Sequence, residues 1–189
     1  MADPNPLAER GRSLEEDYFR KRDRELLERM RAAAAADEAR KQLGSVTGLA
    51  GADVEELQQL GFTPDTISLL PIVPLLQVAW AEGGVDAQER ALIVQLARAR
   101  GITEGSAADA QLTRWMAEAP PASVFAGATR LVSAMIDAPG SATGGLTRDQ
   151  LVAYCEKVAA ASGGFLGMKK ISAEERALLT TISQDLKKN

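Results

Sequence analysis

Carboxylates are the side chains of this sequence best placed to do chemistry. Glu82, Asp86 and Glu89 form one close group, and Glu174 and Glu175 form a second. The chain has no histidine, and Cys155 is its one cysteine. That composition excludes zinc sites built from Cys and His, Ser-His-Asp and Cys-His catalysis, and any internal disulfide. What remains is oxygen chemistry, which suits hard cations such as Ca²⁺ or Mg²⁺. A useful calcium site gathers about six to eight oxygens, and Glu82, Asp86 and Glu89 offer three carboxylates towards one. Weak Ca²⁺ or Mg²⁺ binding is therefore the one cofactor interaction the residues suggest.

Those acids belong to a stretch that the chain states twice. Val78 to Gly84 runs directly into Val85 to Leu92. Val158 to Gly164 leads, after the insertion Phe165 to Lys170, into Ile171 to Leu178. Each copy reads as helix, glycine hinge, helix, with Val85 and Ile171 as apolar seats for the core. Asp86-x-x-Glu89 and Ser172-x-x-Glu175 both have the form of a capping box, worth about 0.5–2 kcal/mol to each helix start. Capping is the reading that the residue pattern favours. Cation binding and a protein contact stand beside it, and the lysines of the insertion, Lys169 and Lys170, oppose a cation at the second hinge.

The first hinge, Ala81-Glu82-Gly83-Gly84-Val85-Asp86-Ala87-Gln88-Glu89, resembles the acidic hinges of the tellurite-resistance TerB family and its wider TerB-like group. The resemblance covers about residues 67–187. It implies an all-helical, non-catalytic cytoplasmic domain associated with tellurite or general stress resistance, with metal ions bound by acidic surface residues. The positions that carry over are Glu82, Asp86 and Glu89 in the first hinge and Glu174 and Glu175 in the second. The family's usual Asp is Glu82 in one copy and Ser162 in the other.

The elements that must position these acids read as helices throughout. Apolar residues make up 46% of the chain and aromatics only 4%, and their spacing is helical rather than alternating. The expected fold is an all-α bundle of two pseudo-repeated helix-hinge-helix units, preceded by a long charged helix. Residues 1–12 read as a loose leader, 13–43 as a charged helical arm, 44–66 as connecting short helices and 67–189 as the bundle. Within the bundle, helices are expected at about 64–70, 72–82, 86–100, from Ser106 to Pro120, and at 122–137, 147–162 and 172–187. The 72–82 segment is apolar nearly all round and should be central. Asp53-Val54-Glu55-Glu56 reads as a further capping box opening a helix that stops at Gly61. Cys155 reads as a small buried hydrophobe, since no basic neighbour is visible to activate it.

The arm opens on a capping box, Ser13-x-x-Glu16, and carries acid-first pairs four residues apart such as Glu25/Arg29, worth about 0.2–0.5 kcal/mol each. Its apolar set is Leu14, Tyr18, Phe19, Leu26, Leu27 and Met30, of which Leu14, Tyr18, Phe19, Leu26 and Met30 are the candidate partner-binding residues of a narrow stripe suited to a single partner surface. A solvated helix, or one folded back on its own domain, is the competing reading. The net charge of −4 argues against phosphate-driven nucleic-acid binding, and no apolar run reaches the ~18 residues of a membrane span. A cytoplasmic protein with a protein partner, or one that forms a homo-oligomer, is expected, and the acids at helix starts are expected in water.

Overall fold

The computed structural model describes residues 6–140, 145–161 and 171–187; in the first helix, side chains are described for Glu15 and from Tyr18 onward. Every regular element among these residues is helical. The order is α1 (Pro6–Thr47), α2 (Ala52–Gln59), a 3-10 helix (Ile67–Ile72), α3 (Val73–Ala79), a 3-10 turn (Trp80–Glu82), α4 (Ala87–Ala99), α5 (Ala107–Ala117), α6 (Ala122–Asp137), α7 (Arg148–Ala161) and α8 (Ala173–Lys187).

The chain divides into two compact units, residues 1–39 and 40–189. This differs from the expected boundaries. The segment expected as connecting helices, 44–66, belongs to the larger unit, where Leu43, Leu49, Val54, Leu57 and Phe62 are all core residues. The helix also runs past its expected break at Gly44. A side chain there would bring its Cβ within 3.1 Å of the Leu49 carbonyl oxygen, so glycine lets the chain turn back tightly against the end of α1. At the other end, α1 begins at Pro6 rather than at the Ser13 box. Proline is tolerated in a first helical turn because its missing N–H has no partner to lose there; no part of 6–12 is a loose leader.

In the larger unit α3 is central, as its composition requires. It packs against α4, α6, α7 and α8, and Val73, Leu75, Leu76, Val78 and Ala79 are all buried. The two hinge units thus meet directly, with α7 against both α3 and α4. Pro71 and Pro74 remove two closely spaced opportunities for an α-ladder bond. The segment expected as a helix at 64–70 is accordingly a 3-10 helix, Ile67–Ile72, with Pro71 inside it and Pro74 in the first turn of α3. The helix expected to reach residue 82 ends at Ala79, and the tighter 3-10 turn continues to Glu82.

The box expected at Asp53 does not form. Gly51 occupies the N-cap of α2 without a side-chain bond. Asp53 and Glu56 instead accept from Arg130 of α6, the former at 2.8 Å. A long-range bidentate cation has taken the acids that a local cap would have used. Elsewhere the start signals hold: the Ser106 hydroxyl accepts from the Asp109 amide at 3.1 Å, and Thr147 and Gln150 cap each other's backbone at the start of α7.

Candidate functional site

The first hinge is built from three local devices. The 3-10 turn ends on Gly83, which is left-handed at φ 88°, a conformation that costs an L residue about 1–2 kcal/mol. Asp86 is then the N-cap of α4, its Oδ1 accepting from the amides of Gln88 at 2.7 Å and Glu89 at 2.8 Å. Glu89 closes the box, its Oε2 accepting from the Asp86 amide at 2.8 Å. The second hinge repeats the device at α8. The Ser172 amide donates to Glu175 Oε2 at 2.8 Å and the Glu175 amide to the Ser172 hydroxyl at 3.1 Å. Gly163, Gly164 and the insertion Phe165 to Lys170 lie outside the described residues.

The environment of the closing glutamates is the main departure from expectation. Glu89 and Glu175 are 2% and 1% exposed, not in water. A capping box turns its glutamate back over its own helix end, and here these two side chains are buried while Ala87 and Gln88 of α4 and Ala173 and Glu174 of α8 stay exposed. Burial pushes the Glu89 carboxyl up to about 7, its bond from the Asp86 amide pulls the other way, and the charges of Asp86, Glu175 and Glu82 raise it further. The two glutamates that close the two boxes are thus electrostatic neighbours.

Glu82 and Asp86 are less buried than this carboxyl and stand beside it in the hinge. The charges of Glu82 and Asp86 both bear on Glu89, yet among the described residues no three His, Cys, Asp or Glu side chains are grouped so as to hold a metal ion. Asp86 Oδ1 and Glu89 Oε2 are engaged by backbone amides. Of the expected cation set, Asp86 and Glu89 are therefore committed to the cap of α4, while Glu82 stands exposed beside them.

Neighbouring polar contacts lock the hinge to α5. Trp80 Nε1 donates to the Trp115 carbonyl and Arg90 to the Met116 carbonyl, both at 2.9 Å. Arg90 thereby satisfies the end of α5. Cys155 is fully buried, and desolvation raises its thiol to about 12, so it packs as an inert hydrophobe. A cavity of about 420 Å³ touches Phe125, Arg130 and Leu178, and an open groove of about 600 Å³ lies between α7 and α8. Neither Glu89 nor Glu175 lines either space, so these carboxyls do not face a substrate there.

On the arm, Tyr18, Phe19, Leu26, Leu27 and Met30 are exposed, each by 53–62%. Leu27 belongs with the expected stripe although the spacing argument left it outside the partner set; the side chain of Leu14 lies outside those described. Among the described residues no helix is long and apolar enough to cross a membrane. Comparison of the chain with protein families, with curated proteins and with solved structures finds no match. The TerB-like resemblance therefore rests on the hinge motifs alone.

Proposed function

We propose that this chain is a non-catalytic interaction module of TerB-like type, a helical bundle carrying an N-terminal helical arm on which a protein partner docks. One observation carries the reading: five large apolar side chains stand more than half exposed on the arm, in a unit separate from the bundle. Scattered exposed apolar residues need no explanation, but a grouped set on one helix is the usual mark of a contact surface. The hinge resemblance adds a cytoplasmic stress-response setting.

A cut that removes the arm must fall before Arg40, because Leu43, Thr47 and Leu49 are buried in the bundle. Immobilised full-length chain should retain a partner that residues 40–189 and a Phe19→Glu/Leu26→Glu full-length variant both release. Equal retention by all three would sink the docking role.

A second reading, weak divalent-cation binding at the first hinge, is favoured by the concentration of negative charge from Glu82, Asp86, Glu89 and Glu175. Titration calorimetry with Ca²⁺, Mg²⁺ and Mn²⁺ should then give heat that Glu82→Gln diminishes. No heat, or the same heat from both proteins, removes that site.

A further inference from the structure

The arm's exposed side chains have a definite order. At about 100° per residue, Tyr18, Phe19, Leu26, Leu27 and Met30 fall within one half of the helix circumference, with Phe19, Leu26 and Met30 along its midline. Lys21, Arg24 and Glu28 fall on the opposite half. Helices in water gain most of their stability by packing an apolar face rather than from propensity. The part of α1 before Arg40 is about 50 Å long, and its apolar side chains are exposed in the single chain. Between Tyr18 and Met30 this half also holds Arg22 and Arg29 on one side of the midline and Asp23 on the other, so a wholly apolar groove would leave three charges unpaired. The face calls for a partner that is apolar at its centre and charged at matching heights.

We propose that this partner is the same helix of a second copy, packed antiparallel about a two-fold axis that passes between Asp23 and Arg24. The proposal rests on the reading of the arm as an interaction surface and names its occupant. In this register Phe19 sits between Leu26 and Met30 of the second copy. Arg22 lies level with Glu25 of the second copy on the same flank, and Tyr18 lies level with Arg29, where a guanidinium can rest on the ring. The two-fold axis makes each of these contacts twice. Antiparallel packing also sets opposed helix dipoles side by side. The register that matches the charges is also the one that uses the whole arm, since the overlap runs from Leu7 to Arg40 and ends where the larger unit begins.

Sedimentation of the full-length chain at micromolar concentrations tests the pairing, and cysteine cross-linking tests the register. The natural thiol, Cys155, is fully buried and does not compete. The expected results are a dimer for the natural chain and, for Leu26→Glu, a monomer whose bundle keeps the natural urea midpoint. With a short bismaleimide, a mixture of Phe19→Cys and Met30→Cys chains should cross-link while neither variant does so alone. Cross-linking of each variant with itself would overturn the antiparallel register. A monomeric natural chain would overturn the pairing; if that monomer still held another protein through Phe19 and Leu26, the broader docking reading would survive, and if it did not, both would fall.

Discussion

Replacing Leu76 with alanine should lower the unfolding free energy by about 2–5 kcal/mol, the range for truncating a fully buried leucine. Leu76 is 0% exposed on α3, the helix against which α4, α6, α7 and α8 all pack. A void at this position is bordered by several helices at once, and each is tied to others. None can move in to fill it without opening a second contact, so the loss should fall in the upper part of the range. Urea unfolding followed by circular dichroism measures it. Thr113→Ala, exposed on α5, should change the same transition by less than about 0.5 kcal/mol. Equal losses at the two positions would mean that α3 is not the centre of the cooperative unit.

The centrality of α3 was legible because it is a compositional fact: a helix apolar on all sides has nowhere to go but inside. The starts of α4, α5, α7 and α8 were legible for a related reason. Their signals are local, with Asp86, Ser106, Thr147 and Ser172 each bonding to amides two or three residues away. Where a distant residue competes, the same reasoning fails. Asp53 has the spacing of a cap, but Arg130, far along the chain, holds it in place of the local amides. Gly44 looked like a helix stop because glycine usually is one; its real service, accommodating the Leu49 carbonyl, depends on a return of the chain that spacing does not encode.

The candidate site was legible in one respect and hidden in another. Both capping boxes were evident from residue type and interval. Their depth was not, because Glu89 and Glu175 carry charge and a periodicity argument assigns charge to water. Burial came from the packing of two hinge units against one another, which covers the closing glutamate of each box while the other first-turn residues stay exposed. The outcome is an acidic residue doing a structural task under conditions that penalise its charge, and that combination has a measurable consequence.

The stability of the bundle should fall as pH rises between about 4.5 and about 7. An unfolded chain releases the Glu89 proton near the ordinary 4.5, while the folded chain holds it to about 7. Below the first value both states are protonated, and above the second both are ionised. Between them the folded state binds more protons than the unfolded one, so each unit of pH costs folding about 1.4 kcal/mol. Across the window the loss from this group is on the order of 3 kcal/mol. The absence of histidine keeps the side chain that ordinarily titrates near 6.5 out of this range, so the slope is easily assigned. Glu89→Gln retains an oxygen to accept from the Asp86 amide and has no charge to bury. That variant should match the natural chain near pH 4.5, exceed it by roughly 2–3 kcal/mol at pH 8, and show a flatter profile between. Glu89→Ala should be less stable than Glu89→Gln at every pH, since it loses the cap as well. Urea midpoints measured from pH 4.5 to 8 distinguish these cases, and parallel curves for the natural chain and the Glu89→Gln variant would show that the buried carboxyl does not titrate in this window.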